Sequence, residues 1–369
     1  MGTDGVMTRG GASAAAVISP SRALREDSRD EHRGSGALIA WLSLCCVLVF
    51  AMVVVGGVTR LTHSGLSITE WQPIVGALPP LSAADWNDAF AKYRLTPEFR
   101  DVNHAMTLTE FKRIFLWEYA HRLLGRAIGV VFLVPYLAFL ARGRIPRRLA
   151  WPLAGIFALG GLQGAVGWLM VQSGLVDDPR VSQFRLTAHL GLAFAIFGAM
   201  LWVALSLAFP PHRDASTTKH AALRRHATWV AALVFLMVLS GGLVAGIRAG
   251  FAYNTFPLMH GRIVPPEIMM LEPGWRNFFW NMATVQFDHR VLAWLLAFAV
   301  PLLWWSVRRA EVSPRARASA NALVALLAAQ ISLGIATLVN AVPLFLAALH
   351  QAGAVIVFGL ALGVVHALR

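Results

Sequence analysis

The chain has 369 residues, 57% of them hydrophobic and only 14% charged, with a formal net charge of +13. Soluble domains carry roughly a quarter charged residues, so this composition excludes an ordinary soluble fold. The basic residues sit in short clusters between long apolar runs, which makes membrane topology rather than nucleic-acid binding the reason for the positive excess.

Residues 1–36 mix charge with Gly, Ser and Ala and read as a disordered tail. Asp4, Glu26, Asp27, Asp30 and Glu31 argue against a mitochondrial transit peptide, which is poor in acids. The first apolar run starts late and has full length, so it reads as a retained span. Eight such runs follow the length rule of roughly 20 apolar residues per crossing, at about 37–58, 114–140, 149–171, 184–208, 227–247, 285–307, 318–340 and 344–367. Backbone groups in lipid must be satisfied internally, so the runs are predicted helices. The alternation of a membrane barrel is absent. Cys45 and Cys46 are adjacent within the first run and fit small buried helix residues better than a metal or disulfide pattern.

Arg142, Arg144, Arg147 and Arg148 lie between spans 2 and 3. Arg213, Lys219, Arg224 and Arg225 lie between spans 4 and 5, and Arg308, Arg309, Arg315 and Arg317 between spans 6 and 7. The alternate loops are mixed or nearly uncharged. The positive-inside pattern predicts both termini in the cytoplasm, or in the matrix if the membrane is the mitochondrial inner one; the Ala-, Arg- and Gly-rich usage and the tail favour the bacterial inner membrane.

Two halves of the chain share an order of features. Val55-Gly56-Gly57-Val58 matches Ser240-Gly241-Gly242-Leu243, and each is followed by an external loop ending in a double proline, Pro79-Pro80 and Pro265-Pro266. His121-Arg122 opens span 2 as His289-Arg290 opens span 6. Gln163 with Gly167 in span 3 matches Gln330 with Gly334 in span 7, and His189 opens span 4 as His350 opens span 8. The predicted fold is therefore an all-α integral membrane protein of two tandem four-helix bundles, related by a parallel pseudo-two-fold repeat. The expected divisions are a tail over 1–36, a first bundle over 37–208, a cytoplasmic linker over 209–226 and a second bundle over 227–369. Gly125, Gly129, Gly191, Gly353 and Gly359 permit close helix approach.

All four paired histidines, His121, His189, His289 and His350, fall near the outer starts of their spans. An ionisable group within a membrane span is costly, which favours a functional reading for each. Two imidazoles on facing helices suit the two axial positions of a haem iron, with the macrocycle in the bundle interior. Arg122 and Arg290 are candidate propionate contacts, although snorkelling to the interface explains them equally well. The remaining histidines, including His63, His104, His260 and His366, lack a partner at a helix start and are expected at solvated surface. The halves differ at one place: Glu118 precedes His121 by three residues, where Gln286 precedes His289. That spacing puts Glu118 on the face of His121, so the first half is expected to be reactive and the second a fixed cofactor site. An i,i+4 pair between Glu118 and Arg122 is the plainer alternative.

Together the motifs Gly56-Gly57-Val58-Thr59-Arg60-Leu61-Thr62, Ser64-Gly65-Leu66-Ser67-Ile68, Glu70-Trp71-Gln72-Pro73, Trp117-Glu118-Tyr119-Ala120-His121-Arg122, Thr187-Ala188-His189-Leu190, Phe287-Asp288-His289-Arg290 and Leu349-His350-Gln351 resemble the haem A synthase family, of the type found in α-proteobacteria and mitochondria. The resemblance covers about residues 37 to 367. It implies oxidation of a ring methyl of haem O to the formyl group of haem A through hydroxylated intermediates. It implies that His121 and His189 ligate the substrate haem, that His289 and His350 ligate a haem b cofactor, and that Glu118 is needed for turnover. It also implies partnership with haem O synthase and with cytochrome c oxidase assembly, and is compatible with a homo-oligomer. No nucleic acid is expected as a partner; the lipid membrane is. The cysteine pair that some bacterial members carry in the first external loop is missing here. Two other classes compete: a di-haem cytochrome b passing electrons to or from quinone, and a transporter, the latter disfavoured because the polar residues lie in the outer half rather than at midplane.

Overall fold

A computed structural model describes residues 20–72, 75–176, 179–210 and 220–369. In chain order the α-helices are α1 (Pro20–Leu61), α2 (Ala83–Arg94), α3 (Pro97–Asp101), α4 (Leu108–Ala141), α5 (Arg147–Gln172), α6 (Gln183–Ala208), α7 (Ala221–Gly246), α8 (Asn277–Trp280), α9 (Met282–Arg309), α10 (Pro314–Val339) and α11 (Leu344–Ala367). Eight of them are long and apolar enough to cross a membrane: Ser35–Leu61 within α1, then α4, α5, α6, α7, α9, α10 and α11. They coincide with the eight predicted runs, and this is a multi-pass membrane protein.

The tail expected over 1–36 lies outside the described residues as far as residue 19. From Pro20 the backbone is helical as part of α1, where the sequence reading expects a disordered tail as far as residue 36; helix-forming residues such as Ala23, Leu24 and Glu26 adjoin a long helix that needs no new nucleus. The linker expected over 209–226 is outside the described residues at 211–219, and α7 begins at Ala221, ahead of the expected boundary. Residues 221–226 carry Ala, Leu and Arg, which extend a helix cheaply beyond its apolar run.

Helix starts are set by local chemistry. Thr107 and Glu110 form a reciprocal capping box at the start of α4, and Asn281 accepts from the backbone of Ala283 and Thr284 at the start of α9. Each cap stabilises its helix by about 1 kcal/mol and fixes the register of the histidine further along. α4 and α6 each pack on α1 and α5, and stand diagonally across the first four-helix set. In the second set α9 and α11 each pack on α7 and α10 and are likewise diagonal. The sets meet through α6 on α7 and α1 on α11.

One core runs across this seam, from Val53 and Phe194 to Val234, Leu303, Leu323 and Phe358. A second fills the other end of the first set with Leu42, Cys45, Cys46, Phe132, Leu153 and Met200. Both cysteines are buried, as their position predicted. His366 departs from expectation. It is buried, receives the guanidinium of Arg315 at Nδ1 (2.6 Å), lies 3.2 Å from Ser206 Oγ and stands edge-on to Trp202. The last turn of α11 packs beside α6 and α10, and those neighbours supply the polar partners that a lone histidine in a sequence does not reveal.

Outside the spans, α2 and α3 form a small cap on the first set. Tyr93, Phe111 and Phe115 are its buried centre, with Phe90 and Phe99 against them. Trp71 stacks on Trp168 at 5.5 Å, joining the first external loop to the end of α5.

Candidate functional site

The diagonal arrangement places His121 (α4) and His189 (α6) on helices that enclose an interior with α1 and α5. Each imidazole rests on a glycine. A Cβ at Gly56 would stand 3.1 Å from His121 Nε2, and a Cβ at Gly167 would stand 2.7 Å from His189 Cε1. Glycine at these positions leaves room for a ring that any side chain would displace. Further along α5, a Cβ at Gly160, Gly161 or Gly164 would meet nothing within 4 Å. Gln163 donates to the carbonyl of His189 (3.0 Å) and lies 3.4 Å from its Nε2, while His189 Nδ1 is buried without a partner.

The second set repeats these contacts. A Cβ at Gly334 would stand 2.8 Å from His350 Cε1, and Gln330 donates to the carbonyl of His350 (2.7 Å). His350 Nδ1 is again buried without a partner. A Cβ at Gly241 would stand 3.5 Å from His289 Cε1. One partner is particular to this half: Ser240 Oγ lies 3.0 Å from His289 Nδ1. The equivalent position in the first half is Val55, which offers no such bond. Gln351, next to His350, donates to Val53 of α1 (2.9 Å), so α1 touches the surroundings of both histidine pairs.

An unpartnered buried imidazole nitrogen is expensive unless a ligand completes it. Both sets therefore offer what a bis-histidine haem needs: two imidazoles on diagonal helices, glycines beside them and an apolar interior. The residues present fit a haem in each set.

Glu118 is 2% exposed and fully engaged. Its Oε2 accepts from Ser67 N (2.8 Å), Ser67 Oγ (2.7 Å) and Ile68 N (2.8 Å). Its Oε1 accepts from Arg122 Nε (3.0 Å) and Nη2 (2.6 Å). The i,i+4 pair weighed from the sequence is thus present, and it is joined by a loop that folds back onto the carboxylate. Gln286 has the corresponding place in the second half. It is 3% exposed, donates to the carbonyl of Ala249 (2.8 Å) and accepts from Arg290 Nη2 (3.3 Å).

The two arginines expected at propionates are turned to loop carbonyls. Arg122 donates to Glu70 O (3.1 Å) and Ile68 O (2.9 Å) as well as to Glu118. Arg290 donates to Tyr253 O (3.1 Å), Thr255 O (2.9 Å) and Pro257 O (3.4 Å). With Tyr119 Oη donating to Ala77 O (2.7 Å) and Arg126 to Gln72 O (2.9 Å), α4 holds the first external loop at Ile68, Glu70, Gln72 and Ala77.

Sequence reasoning did not assign roles to Ser67, Ser240, Gln163 or Gln330. The two glutamines had a legible trace, since each stands four residues before its glycine in both halves. Ser67 had none, because its part depends on how the loop folds back.

Outside the spans, Glu98 on α3 is another buried carboxyl, 4% exposed, 3.4 Å from Tyr93 Oη. Burial, assisted by the negative charge of Glu118, pushes it up to about 7. Burial chiefly, then the charge of Glu98, raises Tyr93 as well.

Among the described residues the chain is helical, with eight spans and two pairs of partly buried histidines on diagonal helices, which defines a multi-pass membrane protein. Residues 39–362 match the model of the COX15-CtaA family, described as cytochrome oxidase assembly protein, and the chain belongs to that family. It is similar to the protein named heme A synthase from Nitrosospira multiformis, with 60% identity over 89% of this chain and 92% of that protein. It is similar also to the heme A synthases of Nitrosomonas eutropha, 56% identical over 88% of this chain and 91% of that protein, and Rhodospirillum centenum, 50% identical over 90% and 88%.

Proposed function

We propose that this protein is the enzyme of haem A biosynthesis that oxidises a ring methyl of haem O to a formyl group, with His121 and His189 as axial ligands of the substrate. The observation that carries the assignment of roles is a chemical difference between two otherwise similar sites: Glu118 in the first, Gln286 in the second. Family membership and the shared name of the similar proteins support the reaction.

The change replaces two C–H bonds of the methyl by a C=O bond; with the oxygen drawn from water, four protons and four electrons leave the substrate, the electrons for an acceptor outside this chain. The chain contributes binding, orientation and charge. His121 and His189 would hold the macrocycle by its iron between α4 and α6. Glu118 accepts from five donors and stands three residues from His121. These donors fix the carboxylate in one place and orientation. It is well suited to steadying the positive charge that grows on the ring carbon as electrons leave. The loop it anchors covers the outer end of the site and limits water there.

His289 and His350 would hold a haem b. Ser240 on His289 Nδ1 leaves Nε2 of that ring for the iron. When bound, that group supplies a one-electron relay out of the substrate site.

The same reading places the protein in the bacterial inner membrane with both termini cytoplasmic, beside the enzyme that supplies haem O and the assembly of a haem A-containing oxidase. The deciding experiment is mass analysis of haems from membranes of a host that makes haem O, lacks haem A and expresses this chain. Haem A or hydroxylated haem O, absent with Glu118→Gln, supports the reading. Unaltered haem O beside a folded, haem b-loaded chain would identify an electron-transferring cytochrome instead.

A further inference from the structure

The ends of α1 and α7 meet at the seam of the two sets, where three basic side chains gather. His63, just past α1, and Arg248, just past α7, touch through Nδ1 and Nη2 at 3.3 Å. His63 is pushed down by burial and by the charges of Arg248 and Arg60, which puts all three groups within electrostatic reach. Among the described residues, neither arginine forms an ion pair with a carboxylate, and the guanidinium of Arg60 donates no hydrogen bond. Glu98 feels the charge of Arg248 but is itself raised by burial, and no ion pair joins them. Two guanidinium groups brought together at the mouth of a membrane site, with no counter-charge, call for an anion.

Position says which one. Gly56 is the residue of α1 that adjoins His121 Nε2, the atom that would face a haem iron. Arg60 stands one turn beyond it, a rise of about 6 Å, toward the outer end of the helix. Its direction about the axis differs from that of Gly56 by roughly 40° and from that of Gly57, which adjoins Gln351, by roughly 60° in the other sense. Arg60 therefore overlooks the first histidine pair more than the second. Arg122, the nearer candidate by sequence, already spends its donors on Glu118 and two loop carbonyls.

We propose that Arg60 and Arg248, with His63 beside them, form a carboxylate-binding site at the seam, which takes the propionate edge of the haem held by His121 and His189. This rests on the axial-ligand reading above. It gives the substrate haem a defined rotation about its iron–imidazole axis, since ligation alone leaves that rotation free. It also makes the seam between the sets part of the substrate site, because Arg248 comes from the second half of the chain.

The test is binding, read by the Soret band, of iron protoporphyrin IX and of its dimethyl ester to the purified full chain carrying His350→Ala, so that the signal reports the first pair. The diacid should bind more tightly than the diester by roughly ten- to a hundred-fold, the scale of a charge-assisted hydrogen bond. Arg60→Gln should bring that ratio close to one while leaving diester binding in place, and Arg60→Lys should restore part of it. An unchanged ratio in Arg60→Gln overturns the propionate assignment. So does equal weakening of both ligands, which would mark a structural role. Binding that persists unchanged in His121→Ala overturns the axial-ligand reading, and this site with it.

Discussion

Arg122 closes on Glu118 from one turn further along α4, with Nη2 2.6 Å and Nε 3.0 Å from the same carboxylate oxygen. The other oxygen holds Ser67 and Ile68. One residue thus couples the helix that carries His121 to the loop that covers it. Removing one member of such a buried pair costs about 3–5 kcal/mol. Glu118→Gln should therefore loosen the 62–70 loop, seen as faster proteolysis there, and lower methyl oxidation by about 100-fold or more. Ser67→Ala removes one hydroxyl donor of five. It should loosen the loop slightly, by about 1 kcal/mol, and keep most of the activity. If Ser67→Ala and Glu118→Gln lower activity in the same proportion as they free the loop, Glu118 acts as an anchor alone.

The glycines against the imidazoles allow a sharper comparison. Gly167→Ala puts a methyl 2.7 Å from His189 Cε1, and Gly334→Ala puts one 2.8 Å from His350 Cε1. Each ring must move, and metal ligands tolerate displacements of only about 0.5 Å. We expect Gly167→Ala to weaken retention of haem at the first pair and Gly334→Ala at the second, each by roughly ten-fold or more. Haem content per chain and the low-spin bis-histidine spectrum, taken for both variants, check this. Full occupancy with an unaltered spectrum in both would reduce the glycines to packing residues.

The spans, the four histidines and the paired Gln and Gly residues were legible because each is a local pattern on a continuous helix. A period or a spacing survives folding unchanged. The bonds of Ser67 to Glu118 and of Arg248 to His63 were not legible, since these partners come from loops and from the other half of the chain, and no spacing records a loop that folds back. Arg122 and Arg290 show the reverse case. Their place one residue after a histidine was legible, but the loop carbonyls that take their donors, Ile68 O and Thr255 O among them, were not. His366 was misread for want of a partner in sequence, although Arg315 and Ser206 meet it in space.

Ser240 gives the second half a feature that the first lacks. Its hydroxyl fixes His289 through Nδ1 at 3.0 Å. With the imidazole N–H donating to that oxygen, the ring is the more basic ligand and favours ferric iron. Ser240→Ala should raise the midpoint potential of the haem at this pair and weaken its retention by roughly ten-fold, with the spectrum of the first pair unaltered. Redox titration of the membrane-extracted chain measures the shift. A potential that stays put would mean that His289 is oriented by packing against Gly241 alone.

Glu98 supplies a pH dependence with a definite sign. Its carboxyl sits among Tyr93, Phe99 and Asn103 in the external cap, within reach of the charges of Glu118 and Arg248, and burial lifts it from 4.5 to about 7. A raised folded-state value means that the folded cap binds the proton more tightly than the unfolded chain. Its contribution is fully present below pH 4.5 and is lost as pH rises through 7, amounting at most to roughly 3 kcal/mol. Glu98→Gln keeps the neutral shape at every pH. It should leave cap stability unchanged in acid, raise it above pH 7, and flatten the profile between. Hydrogen exchange of the α2–α3 amides from pH 5 to 8, corrected for intrinsic rates, reads this directly. A profile with the same slope in the wild type and in Glu98→Gln would show that the carboxyl is not protonated in the folded cap.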